Sequence, residues 1–469
     1  MAYEYNSSEP AKVRLADLDE RKRFLLSESE TFCMYPWIHI HAYPTGEAYP
    51  CCMSEMDQSV GNCREKTLSE IWHDKPMQDL RHNMLNEIKS DACKRCYEQE
   101  ASGFFSGRRS ANKHHGHNIS RIDESDFKML YWDIRFSNLC NLSCRSCGHI
   151  FSSSWFKDQS KLANFQLIEN YNNIADPSWP KVEVVDDFKN VSEEIKQECA
   201  DVHGFQIPSK ESLIQMQSTN KALQYAGRFE TDMWEQLIDH IDHVEQIYFA
   251  GGEPLLMEEH YLILEELVKR GRFDVSLLYN TNFTHVNLKD KTVFEYWKKF
   301  NTVAVGASLD GSGEYAEYIR KGTNWNQVEQ NRIDMLRICP QVDFYISPTL
   351  SIMNAMHLPD FHRDWVEKGL IRHQDLNINI LQFPHHYRID IAPDDYKKEL
   401  QEKYEKHLEW LRPHDELNRA TVGFESAINF MNATDNSGLI KKFWDKTHQL
   451  DSIRKENILN VIPELSKLK

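Results

Sequence analysis

The sequence has few features of a membrane or secreted protein. It lacks a stretch of about eighteen consecutive apolar residues, the length that a membrane-spanning helix needs. Its first segment, MAYEYNSSEPAKVRLADLDE, does not have the basic and then apolar order of a secretory signal. We therefore expect a cytoplasmic protein that does not act at a membrane.

The sequence also has fewer basic than acidic residues. The chain has 55 Lys and Arg against 72 Asp and Glu, a net charge of −17. A groove for duplex nucleic acid needs a positive surplus, so nucleic acid is not an expected partner. The exception is the His-rich basic stretch from Arg108 to Arg121, which we interpret as a solvated polar loop between two domains rather than a nucleic-acid or metal site.

From Met129 onward, short strand-like runs alternate with amphipathic helical runs. Strands are predicted at Leu130–Phe136, Val244–Phe249, Val275–Tyr279, Thr302–Leu309, Asp343–Leu350 and Leu376–Leu381. The later strands recur every 30 to 40 residues or so, about the length of one strand–helix unit. Six such units predict an α/β fold with a partial (β/α)6 barrel of the TIM type.

This rhythm divides the 469-residue chain into regions. We predict an N-terminal arm over 1–31, a small cysteine-rich domain over 32–120, the barrel over 121–390 and a C-terminal helical extension over 391–469. The first strand-to-strand interval is too long for one crossover, which predicts an insertion over about 151–243. Within the cysteine-rich region, YPTGEAYPCC predicts a hairpin, and a helical stretch follows from Thr67 to Ile88.

The eleven cysteines are concentrated in the first third of the chain. They stand at positions 33, 51, 52, 63, 93, 96, 140, 144, 147, 199 and 339. Grouped cysteines in a cytosolic enzyme more often bind metal than form a disulfide framework. The sequence therefore indicates metal or cluster binding.

One cysteine group directly follows the first predicted barrel strand. In SNLCNLSCRSCGH, Cys140, Cys144 and Cys147 have the spacing C-x3-C-x2-C. Three thiolates on one loop can hold three corners of a [4Fe-4S] cluster, which leaves one iron open to another ligand. The alternatives are buried thiols or a zinc knuckle, for which His149 is the nearby fourth ligand.

This loop resembles that of the radical S-adenosylmethionine superfamily, and the resemblance covers about Met129 to Pro384. A Gly251-Gly252-Glu253-Pro254 segment after the second strand is similar to the family's GGEP-type turn, which contacts the methionine ammonium group. The resemblance also implies that Ser308 and Arg320 hold the methionine carboxylate.

The resemblance also gives candidate residues for contacts with the adenosine part of the cofactor. The family contacts ribose and adenine where Asn280, Ser351 and Gln382 stand here. The chain departs from the family pattern at Ser146, where the residue before the third cysteine is usually aromatic. This departure removes an adenine-packing contact but no cluster ligand.

The resemblance implies an activity. A radical S-adenosylmethionine enzyme cleaves its cofactor reductively to a 5′-deoxyadenosyl radical, which abstracts a hydrogen atom from the substrate. Its electrons come from a donor such as flavodoxin or ferredoxin. We expect a peptide or protein substrate first, and oxidation of a small sugar or nucleotide alcohol second. A protein of another class, a non-catalytic iron–sulfur or zinc protein, is the remaining alternative.

The upstream cysteines resemble a SPASM or twitch auxiliary-cluster module, here placed ahead of the barrel rather than after it. We predict Cys33, Cys51, Cys93 and Cys96 as the four ligands of a second [4Fe-4S] cluster. A structural zinc ribbon built from the same four thiolates remains open.

The other cysteines have weaker signals. Cys52 and Cys63 have no assigned role, and Cys199 and Cys339 are interpreted as ordinary thiols.

The first barrel strand also carries charge. Asp133 and Arg135 alternate with apolar residues and should share one face, where we interpret them as a buried ion pair rather than as substrate contacts. Further candidates near the mouth of the barrel are Asp310, Thr349, Asn377 and Asn379.

Overall fold

The structure, a computed structural model, describes residues 12–101, 105–166 and 223–468. Most of the predicted insertion over 151–243 lies outside the described residues, as does Cys199. The chain forms two compact units. The first contains Met1–Asn138, Gln224–Tyr279 and Lys299–Val303, and the second contains Leu139–Leu223, Asn280–Lys298 and Ala304–Lys469.

The strands are short, and we number them in chain order. They are β1 His41–Ala42, β2 Glu47–Tyr49, β3 Gly61–Asn62, β4 Tyr131–Ile134, β5 Ser143–Cys144, β6 Gln246–Phe249, β7 Ser276–Thr281, β8 Asn287–Leu288, β9 Lys291–Thr292, β10 Val303–Ala307, β11 Arg320–Lys321, β12 Asp343–Ile346, β13 Thr349–Leu350 and β14 Asn379–Ile380.

The α-helices are numbered in the same way. They are α1 Glu20–Ser27, α2 Leu68–His73, α3 Lys75–Leu85, α4 Lys94–Ala101, α5 Gly107–His115, α6 Phe156–Gln166, α7 Asp232–Leu237, α8 Glu258–Lys269, α9 Phe294–Trp297, α10 Gly313–Ile319, α11 Trp325–Ile338, α12 Leu358–Glu367, α13 Asp394–Leu411, α14 Arg419–Ala433, α15 Ile440–Arg454 and α16 Ile458–Val461. None of these described helices is long and apolar enough to cross a bilayer.

The sheet of the first unit combines parallel and antiparallel pairs. Strand β4 runs parallel to β6, and β6 runs parallel to β7. On its other side β4 pairs in parallel with β1, and β1 continues through the antiparallel strands β2 and β3. The cysteine-rich region therefore contributes strands to the same sheet as the predicted barrel, a pairing that the sequence did not suggest.

The predicted hairpin in YPTGEAYPCC is confirmed. The amide of Tyr43 donates to the carbonyl of Glu47 at 3.0 Å, and the amide of Gly46 donates to the carbonyl of Tyr43 at 2.9 Å. Gly46 has a φ of 97°, where a side chain is strained, and a Cβ there would lie 2.6 Å from the Asn62 side chain. The turn therefore requires glycine at this position.

The helical stretch predicted from Thr67 to Ile88 is also confirmed, but it contains two helices. Thr67 and Glu70 form a capping box at the start of α2. Asp74 then ends α2 and caps α3, whose first turn contains Pro76. Proline has no amide proton to donate, so it fits the first turn of a new helix better than the interior of a continuous one.

The interpretation of Arg108–Arg121 as a solvated loop is wrong. Residues 107–115 form α5, and Arg108 is buried. Its guanidinium pairs with Glu100, and its Nη1 donates to the carbonyls of Ser29 at 2.9 Å and Phe32 at 3.0 Å. The basic side chain thus satisfies buried internal groups, which composition alone does not reveal.

In the second unit, β10 runs parallel to β12 and β13 runs parallel to β14. The predicted strand Asp343–Leu350 is split into β12 and β13 at Ser347 and Pro348, where proline removes a ladder donor. The α/β class with parallel strands is confirmed, whereas closure into a barrel and the domain limits remain predictions. Four helices, α13 to α16, occupy the region that was predicted as a helical extension.

A buried charge network ties helix α15 to the cysteine loop within this unit. Arg145, next to Cys144, donates from Nη2 to Asp451 at 2.5 Å and to Glu456 at 2.7 Å. Its guanidinium lies 3.7 Å from the centre of the Tyr318 ring, and the Tyr318 hydroxyl donates to Asp451 at 2.8 Å. Asp451 also accepts from the amide of Ile458 at 2.9 Å, so its carboxylate joins three segments.

We expect Asp451→Ala to lower the free energy of unfolding by about 3 kcal/mol, because it leaves the buried Arg145 charge without one of its carboxylates. The measurement is urea unfolding of the purified protein followed by circular dichroism. Asp445→Ala on the same helix removes an exposed carboxylate paired with Lys441 and should cost less than about 0.5 kcal/mol. Equal costs for the two variants would contradict the role given to the network.

Candidate functional site

The loop with Cys140, Cys144 and Cys147 lies in the second unit. Backbone pairing and a side-chain hydrogen bond fix its conformation. Cys144 belongs to β5, which pairs antiparallel with β11 so that Cys144 faces Arg320 in the ladder. The amide of Cys147 donates to the carbonyl of Cys144 at 3.0 Å, and the Trp155 indole donates to the same carbonyl at 2.7 Å. The loop therefore has a defined conformation around its sulfur atoms.

Three N–H groups point at these sulfur atoms. Asn282 Nδ2 lies 3.9 Å from Cys140 Sγ, which also accepts from the amide of Leu142 at 3.5 Å. Arg320 Nη1 lies 3.7 Å from Cys144 Sγ. Donors at these distances stabilise negative charge on a thiolate ligand. Asn282 is a site residue that the sequence analysis missed, and its only local signal is its place directly after β7.

The thiols of the loop are difficult to ionise in the absence of a ligand. Burial, together with a smaller effect of the neighbouring Cys144, raises the pKa of Cys147 to about 12. Burial also raises the pKa of Cys144, an effect that the positive charge of Arg320 opposes. Metal binding to these sulfurs must therefore displace protons, as is usual for thiolate sites.

Arg320 is held by Asp310. Its Nε and Nη2 donate to the two Asp310 oxygens at 2.8 and 2.9 Å, and the amide of Thr349 donates to Asp310 at 2.8 Å. Burial lowers the pKa of Arg320, but the charges of Asp310 and Cys144 more than offset this effect and raise it above its ordinary value. The bidentate pair leaves Nη1 as the nitrogen directed at the cysteine loop.

The other predicted cofactor residues of this unit have local partners. Ser308 follows β10, and its amide donates to the carbonyl of Thr281 at 2.7 Å. Ser351 is buried, and its hydroxyl donates to Asn354 at 3.2 Å. Gln382 is exposed, follows β14, and donates from its side chain to the carbonyl of Ile380 at 3.2 Å.

Asn280 lies at the end of β7, close to Gly306 on β10. A Cβ on Gly306 would lie 2.9 Å from Asn280 Oδ1, so the glycine makes room for the amide. Of the candidates near the predicted mouth, Thr349 and Asn379 are partners in the β13–β14 pair, and Asn379 donates to Ser347 at 2.9 Å. The amide of Asn377 donates to the carbonyl of Ile346 at 2.9 Å.

The Gly251-Gly252-Glu253 turn belongs to the first unit. Both glycines have positive φ values, 80° and 52°. A Cβ on Gly251 would lie 2.6 Å from Arg135 Cδ, so this glycine is needed both for the turn and for the arginine beside it. Glu253 is fully buried, and its Oε1 accepts from the amide of Leu255 at 3.1 Å.

The predicted ion pair on the first barrel strand is confirmed. Arg135 Nε lies 2.9 Å from Asp133 Oδ1, and the Asp133 side chain is fully buried. Although burial favours the neutral acid, Arg135 and His41 hold the pKa of Asp133 below its ordinary value. The carboxylate therefore stays ionised inside the sheet.

The four cysteines predicted for the auxiliary cluster lie close enough together to change one another's pKa values. Burial and the neighbouring Cys93 and Cys96 raise the pKa of Cys33. Burial raises the pKa of Cys51, and charges on Cys52, Cys96, Cys33 and Cys93 raise it further. Repulsion of this kind requires proximity, so the four thiols share one neighbourhood.

Cys63 does not belong to this group. Burial raises the pKa of Cys63 to about 12, and the additional charges near it are Asp232 and Glu47 rather than other cysteines. Cys52, in contrast, lies beside Cys51 and close enough to Tyr43 and Arg135 to change their pKa values. In the second unit, Cys339 is a buried thiol at the end of α11, as expected for an ordinary cysteine.

The spacing of the sulfur atoms bears on the zinc alternatives. Thiolates that surround one Zn²⁺ at about 2.3 Å in a tetrahedron lie about 3.8 Å from one another. A metal-sized group needs at least three Cys, His, Asp or Glu whose ligand atoms all lie within 4.8 Å of one another. Among the described residues, His39, His41 and Asp133 form such a group. Among the described residues no three cysteine sulfurs meet this 4.8 Å criterion, so at least one pair of sulfurs in each cysteine group lies farther apart than that.

Comparison with protein families identifies the upstream module. Residues 33–97 match the SPASM family, described as an iron–sulfur cluster-binding domain. The matched range contains Cys33, Cys51, Cys93 and Cys96, and it confirms the predicted SPASM-type module. No curated protein matches the chain.

Solved structures give weaker similarities. Native anSMEcpe with bound AdoMet is similar at 23% identity over 36% of this chain and 48% of that chain, with a TM-score of 0.27. A structure of TYW1 with a lysine–pyruvate adduct bound is similar at 12% identity over 58% of this chain and 70% of that chain, with a TM-score of 0.24. The chain spans about half the length of the anSMEcpe structure, and TM-scores this low do not establish a shared fold.

We expect Cys93→Ala to remove one cluster, because Cys93 is one of four thiols in the shared neighbourhood. Iron in the anaerobically reconstituted protein should fall from about eight to about four atoms per chain, the content of one [4Fe-4S] cluster. The matched control is Cys63→Ala, which removes a buried thiol of the same module and should leave the iron content unchanged. Iron loss in the control but not in Cys93→Ala would show that the ligand set is wrong.

Proposed function

We propose that the protein is a radical S-adenosylmethionine enzyme whose cofactor-cleaving cluster is held by Cys140, Cys144 and Cys147. The observation that carries the proposal is the arrangement of N–H donors around a loop with three thiols, led by Arg320 and Asn282. The confirmed SPASM-type module supports it, since this module is itself an iron–sulfur domain.

The three cysteine thiolates of this loop suit a [4Fe-4S] cluster with one open iron. Three thiolates from one loop would hold three irons, which leaves the fourth for the amino and carboxylate groups of S-adenosylmethionine. The cluster, once reduced by an external donor, would supply one electron to the sulfonium of the bound cofactor, which would split into methionine and a 5′-deoxyadenosyl radical. The alternative is a zinc knuckle, in which at least one pair of these three sulfurs would have to move closer together.

The residues around the loop would tune this site by electrostatics. Arg320 places a positive charge beside Cys144, and Asp310 balances that charge and fixes its direction. Asn282 would donate to Cys140 in every oxidation state. Hydrogen bonds and positive charge near cluster sulfurs favour the reduced state, which is the state that must form before cofactor cleavage.

Cofactor contacts are proposed from the resemblance for Gly251, Gly252, Glu253, Ser308 and Arg320, and for Asn280, Ser351 and Gln382 at the adenosine part. For Arg320, only Nη1 is not already used by Asp310, so this nitrogen would reach the methionine carboxylate. Ser351 would have to exchange its bond to Asn354 for one to the ribose.

For the substrate we propose a peptide or protein from which the radical abstracts a hydrogen atom, because SPASM-type modules often accompany peptide-modifying radical enzymes. Cys33, Cys51, Cys93 and Cys96 would close the auxiliary cluster with four protein thiolates, a ligation that suits electron transfer. Flavodoxin or ferredoxin is the proposed electron donor.

Reconstituted protein supplied with dithionite and S-adenosylmethionine under anaerobic conditions should form 5′-deoxyadenosine, measured by chromatography with mass detection. Cys144→Ala should reduce its formation to the background level because the cluster loses a ligand. Cys339→Ala, which removes a buried thiol distant in sequence from the loop, should leave it unchanged. A wild-type protein with full iron content that forms no nucleoside would instead be a non-catalytic iron–sulfur protein.

Asn282→Asp tests the tuning of the loop. The carboxylate keeps the oxygen that accepts from Thr284 but loses the N–H donor to Cys140 and adds negative charge. We expect the reduction potential of the cluster, measured by electron paramagnetic resonance titration, to become more negative. The rate of cofactor cleavage should fall about 10-fold.

The matched control, Asn301→Asp, makes the same change at an exposed position and should alter neither quantity. An unchanged potential in Asn282→Asp would show that Asn282 does not act on the cluster.

A further inference from the structure

Two histidines of the first unit face a buried carboxylate on the neighbouring strand. His41 on β1 is the ladder partner of Asp133 on β4. His39 lies just before β1, and the centre of its ring is 6.3 Å from that of His41. All three side chains are fully buried, and one ligand atom from each lies within 4.8 Å of those of the other two.

The hydrogen bonds of these histidines fix which nitrogen carries the proton. His39 Nδ1 lies 3.1 Å from the carbonyl of Tyr131, and His41 Nδ1 lies 2.9 Å from the carbonyl of Asp133. A carbonyl can only accept, so each Nδ1 carries the proton and each Nε2 presents a lone pair. Both Nε2 atoms are buried without a hydrogen-bond partner.

A buried polar atom without a partner costs about 1–3 kcal/mol, so two of them on residues 39 and 41 require an explanation. Histidines that bind metals show the same arrangement, in which the nitrogen that is not a ligand donates to a carbonyl or carboxylate. His41 Nδ1 also lies 3.2 Å from Asp133 Oδ2, a contact of the carboxylate–histidine kind.

The charge state of the group also suits a cation. Asp133 supplies a negative charge. Arg135 occupies part of that carboxylate at 2.9 Å, but a carboxylate has about four acceptor positions and can bind a metal beside the arginine.

We propose that His39, His41 and Asp133 form a binding site for one divalent transition-metal ion, separate from the cysteine clusters. Two imidazoles and a carboxylate are a ligand set that proteins use for Zn²⁺ and for non-haem Fe²⁺. Two of its ligands, His41 and Asp133, lie opposite each other on the paired strands β1 and β4, and His39 lies just before β1.

The test uses full-length protein with reconstituted iron–sulfur clusters, to which ZnCl₂ is added before gel filtration and elemental analysis. Wild-type protein should retain one zinc per chain, and both His39→Gln and His41→Gln should lose it. The matched control is His115→Gln, since His115 is also buried, has an unpartnered Nδ1 and contacts the same Tyr131 ring, but lies outside the group of three. This control should retain the zinc.

X-ray absorption at the zinc edge identifies the ligands independently of any variant. The proposal predicts nitrogen and oxygen neighbours at about 2.0–2.1 Å, whereas zinc held by cysteine shows sulfur at about 2.3 Å. Sulfur neighbours, an absence of retained zinc in the wild type, or full retention in both His variants would overturn the proposal. If the variants do not fold, as judged by circular dichroism and iron content, the wild-type spectrum decides alone.

Discussion

Strand β4 has a parallel neighbour on each side, β1 and β6, and this pairing determines much of the surrounding chemistry. All four of its residues are buried, so the charge of Asp133 has to be balanced inside the sheet. Arg135 and His41 supply that balance. The arginine in turn needs space, which Gly251 provides because it has no Cβ. A glycine of the cofactor-type motif thus has a packing role besides any contact with a ligand.

The two groups of cysteines differ in how the negative charge of neighbouring thiolates is compensated. In the SPASM-type module, burial and the charges of the neighbouring cysteines raise the pKa values of Cys33 and Cys51, so binding of an iron cluster would displace protons from these thiols. In the second unit, the loop has three thiols and compensates with N–H donors and a guanidinium. The first arrangement suits a closed cluster and the second a cluster with an exchangeable ligand.

Local patterns in the sequence were informative, and contacts between distant segments were not. The cysteine groups, the hairpin closed by Gly46 and the order of parallel strands follow from spacing and periodicity over a few residues. Most of the predicted strands were too long at their ends, as at Leu130–Phe136, of which only Tyr131–Ile134 forms β4, whereas β7 extends two residues beyond the predicted Val275–Tyr279. Pairing needs a partner of matching length, and the partner is not visible in the strand's own sequence.

The failures have the same origin. Arg108 was assigned to a solvated loop because the carbonyls that it satisfies, Ser29 and Phe32, lie far away in the sequence. Asn282 was not considered because its sulfur partner belongs to another segment. Barrel closure and the cofactor contacts of Gly251–Glu253 remain predictions, since they depend on the relative arrangement of segments that no local pattern specifies.

The bond between Arg145 and Asp451 joins residues separated by 306 positions. During synthesis the cysteine loop leaves the ribosome long before Asp451 and Glu456 are made, so for that time the loop lacks the carboxylates that anchor it. Iron–sulfur assembly factors would then meet an incompletely anchored acceptor on the nascent chain. Stable insertion of the cluster that we propose for this loop should accordingly be a late, post-translational event.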